Sequence, residues 1–178
     1  MRPAYLVDGI TEQRFVQAIC QGSPVRLTNL NGNSVSAEAI AKRIASIVRL
    51  WKGRHYPIIV VVDLEKRSLS ADEFARQVEE SVKAQGIEDL LIVGAVDRMI
   101  ENWMICDEAV WGEGQLRELT DGFSGATELK RMMPTYDKAA DGPTLLIESR
   151  ASEIAKRSKS FKVFCEKLQG LKCNWLNR

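Results

Sequence analysis

The chain has 178 residues, a length that suits one globular domain and a core that needs neither disulfides nor a structural metal. Its 25 Lys and Arg nearly balance 24 Asp and Glu, so the chain as a whole is not an electrostatic nucleic-acid binder. Residues 149–178 are more basic, which suits a solvated helix face or a phosphate-binding surface. Scattered cysteines, a single histidine and the lack of a long apolar run argue against a zinc protein or a membrane protein, and we expect a reduced, cytoplasmic one.

Four apolar segments predict β-strands: Ala4–Val7, Val25–Leu30, Pro57–Val62 and Leu90–Val96. The third is an unbroken apolar run, which is typical of a central strand covered on both faces. Because helical patterns separate the four segments, the sequence predicts right-handed crossovers. The expected fold class is therefore α/β, with a mostly parallel four-stranded sheet and helices on both faces.

Apolar residues at helical spacing predict the connecting helices. Thr11 and Ser36 are the expected N-caps of the first two, and the third runs from about Ser70 to Ala84. After Asp107 the pattern changes to shorter helices. These are predicted at Gln115–Leu119, Thr127–Met132, Pro143–Arg157 and Ser160–Leu168. We therefore expect an α/β core over 1–110 and a helical extension over 111–178 that covers the same domain.

Three of the predicted strands break off directly into acidic residues. Since the carboxyl ends of parallel strands lie on one edge of the sheet, these side chains are expected to gather there. Gathered carboxylates repel each other, and something positive, most simply Mg²⁺ or Mn²⁺, should hold them together. The acidic residues are Asp8 and Glu12, then Asp63 and Glu65, then Asp97, Glu101 and Asp107.

The spacing of these acidic residues indicates different roles. Asp63 and Glu65 lie two apart, so extended backbone would point both the same way, towards a cation. Glu101 and Asp107 lie about 240° apart on a regular helix and cannot both face one ion. Glu101 is the better ligand, and Asp107 is expected to hold the fold through a basic partner. Asp97 competes for the ligand role.

Two cations, Lys66 and Arg67, directly follow the acidic pair. Two roles are equally compatible with this position. The side chains could contact a substrate phosphate, or they could be solvated surface charges.

These motifs resemble a known family. The segment Val7-Asp8-Gly9-Ile10-Thr11-Glu12, followed by the acidic pair at the end of a later strand, resembles a TOPRIM-like domain, the fold of topoisomerases, primases and OLD-family nucleases. Segments 101–107 (Glu-Asn-Trp-Met-Ile-Cys-Asp) and 158–161 (Ser-Lys-Ser-Phe) resemble a small bacterial group of stand-alone TOPRIM-like proteins. Members of that group are often encoded beside an ABC/SMC-like ATPase and are suspected of anti-phage defence. The resemblance covers residues 4–168.

The resemblance implies acid/base chemistry at a phosphodiester by Asp8, with Glu12 beside it as the second catalytic residue. It implies that Asp63 and Glu65 hold Mg²⁺ or Mn²⁺, joined by Glu101 or Asp107. Two positions depart from the family pattern. Glutamate is usual where Asp8 stands, and Asp-x-Asp is usual where this chain has Asp63-Leu64-Glu65. Both changes keep the charge and the type of ligand.

The expected function is a metal-dependent nuclease or related phosphoryl-transfer subunit acting on DNA or RNA, within an ATPase-containing defence complex. The alternative is a non-catalytic TOPRIM-like subunit that regulates, or is regulated by, a partner ATPase. A phosphoacceptor receiver domain fits less well, because receivers place an acidic pair directly after the first strand, where this chain has Asp8 alone.

Overall fold

The computed structural model describes residues 1–30, 32, 34–171, 173 and 175–178. The strands are β1 (Ala4–Val7), β2 (Val25–Leu27), β3 (Ile58–Asp63) and β4 (Leu91–Val96). The helices are α1 (Ile10–Ile19), α2 (Ala37–Trp51), α3 (Ala71–Ala84), α4 (Glu101–Met104), α5 (Glu108–Trp111), α6 (Gly125–Met132), α7 (Gly142–Glu148), α8 (Ala151–Arg157) and α9 (Lys159–Lys167). Within these described ranges, no helix combines the length and the apolar character needed to span a bilayer.

The four strands form one parallel sheet in the order β2-β1-β3-β4. This arrangement confirms the predicted α/β class and the four-stranded sheet. The second strand is shorter than predicted: its last backbone hydrogen bond to β1 runs from Thr28 N to Val7 O, and the chain then leaves the sheet. The order changes direction at β1, so the carboxyl ends of β1 and β3 flank the point where ligands bind in open α/β sheets.

Helices cover both faces of the sheet. On one face α2 and α3 pack over a cluster that includes Phe74 and Val78. On the other face α1 packs together with the C-terminal helices, where Trp103 meets Phe161 edge-on with ring centroids 4.7 Å apart. The residues after Asp107 thus contribute to the same core as α1.

Of the two predicted N-caps, that of α2 is confirmed and that of α1 is not. The Ser36 hydroxyl accepts from Ala39 N, and Ser70 forms a capping box with Glu73. Thr11 was expected to cap α1, and this prediction is wrong. The helix begins two residues earlier, with Gly9 as its N-cap, so Thr11 lies inside the first turn and its hydroxyl donates to a distant carbonyl.

The C-terminal predictions need two corrections. Residues 115–119 are not helical, because Gly112 and Gly114 turn the chain with φ of 91° and 74°. The predicted helix Pro143–Arg157 is two helices, α7 and α8. It breaks at Arg150, whose backbone N–H donates to the Asp107 carboxylate at 2.8 Å instead of continuing the helical pattern.

Side chains occupy the outer edge of β4. The backbone N–H of Val93 donates to Glu79 Oε1 at 3.1 Å, and Lys167 Nζ donates to the carbonyl of the same residue at 3.2 Å. The backbone of this edge strand therefore bonds to α3 and α9 at its middle residue.

Candidate metal centre at the carboxyl edge of the sheet

Asp8 and Asp63 lie on the two central strands where the strand order changes direction. Asp8 follows β1 directly, Asp63 is the last residue of β3, and the strands pair in parallel with Val7 opposite Val61. Both carboxylates are buried, with 4% and 7% of their surface exposed. The fold therefore brings together two of the acidic strand ends that the sequence predicted.

The Asp8 carboxylate is held by two donors. It accepts a short hydrogen bond from the Thr28 hydroxyl and a second from the backbone N–H of Asp63, with 3.2 Å between nitrogen and Oδ2. Burial raises the pKa of Asp8, and these two hydrogen bonds oppose the rise because they favour the charged form. Asp8 is thus fixed in position.

Glu12 and Asp63 are buried without full hydrogen bonding. Glu12 Oε2 and Asp63 Oδ1 accept no hydrogen bond from any residue that the structure describes. Burial raises the pKa of Glu12, and burial with the nearby Glu12 carboxylate raises the pKa of Asp63 well above its ordinary value. Buried carboxylate oxygens without donors are free to bind a cation.

The Glu12 carboxylate packs closely against the backbone of Gly9. A Cβ atom built on Gly9 would lie 2.8 Å from Glu12 Oε2, closer than real Cβ atoms approach. The backbone of the turn after β1 thus forms one wall around the Glu12 carboxylate.

Glu101 is the fourth buried carboxylate of the group, and it pairs with Lys138. Glu101 is 3% exposed, and its Oε2 lies 3.2 Å from Lys138 Nζ. Burial would lower the pKa of Lys138, but the carboxylates of Glu101, Asp63 and Glu12 outweigh it and raise that pKa. We call the four acidic residues the carboxylate cluster: Asp8, Glu12, Asp63 and Glu101.

Glu65 is oriented differently from the prediction. The strand ends at Asp63, and Glu65 has a φ of 59°, in the left-handed region, so extended backbone does not align the two side chains. The negative charge of Glu65 acts on Asp8, whereas the carboxylates that raise the pKa of Asp63 are Glu12, Asp8 and Glu101. Glu65 therefore lies at the Asp8 side of the cluster.

The remaining acidic candidates lie outside the cluster. Asp107 is buried and forms a two-pronged pair with Arg150, whose Nε and Nη2 lie 2.9 and 2.7 Å from its oxygens. This contact confirms the expectation of a basic partner. Asp97 accepts from Gly122 N and lines a separate cleft of about 360 Å³ with Asp121 and Lys159.

The two cations after β3 differ in their surroundings. Arg67 donates to the carbonyls of Leu64, Gly32 and Val35 and lies 4.4 Å above the centre of the Phe74 ring. Its guanidinium thus holds the loops beside β3 together. Lys66 is exposed.

The segments that narrowed the family resemblance have structural contacts of their own. The Asn102 side chain donates to the carbonyls of Thr120 and Phe123 and accepts from Gly125 N, which ties the loop before α6 to α4. Ser158 and Ser160 both donate to the Asp121 carboxylate at the start of α9.

Sequence reasoning missed two members of the site. Lys138 lies in the loop between α6 and α7, and no local sequence pattern predicts that this loop reaches the site. Thr28, one residue past β2, is fully buried beside Asp8, and its position opposite the first acidic strand end was the available signal.

The cluster offers hard oxygen ligands of the type that Mg²⁺ and Mn²⁺ prefer. In the part of the chain that the structure describes, no three acidic, histidine or cysteine side chains are already arranged to hold a metal ion. Comparison of the chain with protein-family models, with curated proteins and with solved structures finds no match.

Proposed function

We propose that this protein is a Mg²⁺- or Mn²⁺-dependent nuclease, or a related phosphoryl-transfer subunit, that acts on DNA or RNA. The observation that carries the proposal is the convergence of Asp8, Glu12, Asp63 and Glu101 at the point where the strand order changes direction. Two oxygens of this group are buried without a donor among the described residues. Carboxylate oxygens that lose their hydration on burial and gain no hydrogen bond are typical of functional sites.

The residues divide into two roles. Glu12, Asp63 and Glu101 would hold the metal ion, and Glu65 adds negative charge on the Asp8 side. When bound, the ion supplies charge that offsets the leaving oxygen and activates water. Asp8 is held by Thr28 and the Asp63 backbone, and burial raises its pKa, so its position suits a group that takes part in proton transfer.

The nucleic acid and the partner ATPase come from the TOPRIM-like resemblance. Of the two cations proposed to contact phosphate, Arg67 is already bound to four backbone carbonyls. Lys66 is exposed, and it follows the same strand end, so a phosphate bound at this edge could reach it. The complex with an ABC/SMC-like ATPase and the role in anti-phage defence belong to the same proposal.

The test is Mn²⁺-dependent cleavage of plasmid DNA and of single-stranded DNA and RNA oligonucleotides by the purified chain. Asp63→Asn keeps the size of the side chain and removes the charge, so cleavage should fall by about 10²-fold or more. Asp97→Asn is the matched control, because Asp97 also follows a strand but lines another cleft. Undiminished cleavage by Asp63→Asn would overturn the proposal.

A second candidate is a non-catalytic subunit that binds a partner ATPase. The ion pair between Lys138 and Glu101 favours it, because an internal cation already offsets part of the charge of the cluster. Calorimetry separates the two candidates. No heat of binding with Mg²⁺ or Mn²⁺ at millimolar concentration supports the non-catalytic subunit.

A further inference from the structure

The loop that carries Lys138 is fixed against α1. The Thr11 hydroxyl donates to the carbonyl of Lys138 at 2.8 Å, and Arg14 Nη1 donates to the next carbonyl, Ala139 O, at 2.6 Å. Within the loop, Asp137 N donates to Asp141 Oδ2 at 2.8 Å. The backbone of residue 138 therefore has a defined position beside the cluster.

From this position the side chain of Lys138 reaches the carboxylates. Its ammonium lies 3.2 Å from Glu101 Oε2 and is close enough to Glu12 and Asp63 to affect their ionisation. Nearly half of the side chain, 46%, remains exposed, whereas Glu101 is buried. Of the two partners, Lys138 is therefore the one that can leave, since a long side chain can turn to solvent without moving its backbone.

We propose that Lys138 is the resident counter-cation of the carboxylate cluster and that a divalent cation must displace it to bind. The residue would thereby set the metal concentration at which the site fills. This inference rests on the proposed function, because it assumes that the cluster is a metal site.

For two reasons, we expect the Lys138 ammonium and a divalent cation to exclude each other from the cluster. Mg²⁺ binds carboxylate oxygens directly at about 2.0–2.1 Å, and Glu101 Oε2 is engaged by Lys138. A charge of +1 and a charge of +2 held a few ångströms apart also repel each other.

The experiment is calorimetric titration of the metal-free chain with MnCl₂ at constant pH and ionic strength. Lys138→Gln removes the charge and should bind Mn²⁺ roughly fivefold tighter or more than the parent chain. Lys138→Arg keeps a positive charge and should bind no tighter than the parent. Lys130→Gln changes the net charge equally on the exposed surface of α6 and should leave the affinity unchanged.

Each outcome decides a different point. Tighter binding by Lys138→Gln alone supports the inference, and so does binding by this variant when the parent does not bind. Equal or weaker binding by Lys138→Gln overturns the inference and leaves the proposed function standing. No binding by any variant overturns both. If Lys138→Gln is unfolded without metal, circular dichroism during MnCl₂ addition is the readout. Failure to refold in that titration overturns the inference.

Discussion

The backbone N–H of Asp63 donates to Asp8 Oδ2 across the two central strands, at 3.2 Å. One acidic residue of the site thus positions the other, and the Thr28 hydroxyl supplies the second donor to Asp8. The three residues come from the ends of three neighbouring strands. Geometry at Asp8 therefore depends on the register of the sheet.

Thr28→Val should lower the free energy of unfolding by about 1–3 kcal/mol, because a buried carboxylate loses one of its two donors. It should also raise the pKa of Asp8 further. Urea denaturation at pH 7 measures the loss, and Thr28→Ser, which keeps the hydroxyl, is the control. Equal stability of the Val and Ser variants would show that this hydrogen bond contributes nothing.

Asp63→Asn should stabilise the metal-free protein at pH 8. Burial raises the pKa of Asp63, so the native state binds a proton that the unfolded chain releases above its own pKa of about 3.9. The stability from this group is complete below that pH and is lost as pH rises through the folded pKa. Removing the charge should raise Tm at pH 8 by roughly 2–4 °C per kcal/mol gained.

The gain should shrink towards pH 4, because Asp63 is then protonated in about half of the unfolded molecules as well. Thermal unfolding in EDTA at pH 4, 6 and 8 measures the trend. Glu80→Gln, on the exposed face of α3, should show no such dependence on pH. An Asp63→Asn variant that is less stable than the parent at pH 8 would contradict the argument.

Asp107→Asn should destabilise the fold without affecting the carboxylate cluster. Asp107 is fully buried and paired with Arg150, and breaking such a pair costs roughly 2–4 kcal/mol when one partner is half-exposed. The Arg150 contact holds the pKa of Asp107 well below its usual range, so its contribution is complete above about pH 4 and falls only in acid. Urea denaturation at pH 7 and pH 3 checks both statements.

Mn²⁺ affinity separates this role from that of a metal ligand. The folded Asp107→Asn variant should bind Mn²⁺ as the parent does, whereas Glu101→Gln should not. Equal loss of affinity in the two variants would place Asp107 in the site.

Gly9→Ala should displace the Glu12 carboxylate, since the new methyl group would stand 2.8 Å from Oε2. Backbone strain does not enter, because Gly9 has a φ of −127°, which any residue adopts. We expect Mn²⁺ affinity to fall roughly tenfold with little change in Tm. Adding Glu12→Ala removes the clash, so Gly9→Ala should lower affinity in the parent and not in the Glu12→Ala background.

The sheet and two of its helices could be predicted because their signals are local. The apolar run of β3 and the serines before α2 and α3 lie next to the elements that they define. Asp8 and Asp63 followed from the same logic, since they stand at strand ends.

Features that depend on tertiary contact escaped prediction. Glu65 lost its predicted alignment because the strand ends two residues earlier and the backbone turns left-handed. Gathered carboxylates require a positive charge beside them, and a metal ion alone was the predicted source of that charge. Lys138 meets part of that requirement from a loop whose position is set by Thr11 and Arg14 on α1, more than a hundred residues away in sequence.

The contacts of Glu79 and Lys167 with Val93 also bear on how the protein behaves at high concentration. An open strand edge lets one folded molecule add a strand from another, which is a common route to aggregation. Here one outer strand is blocked at its middle residue and the other, β2, is only three residues long. Aggregation during storage should therefore be limited by the rate of unfolding and not by collisions between folded molecules.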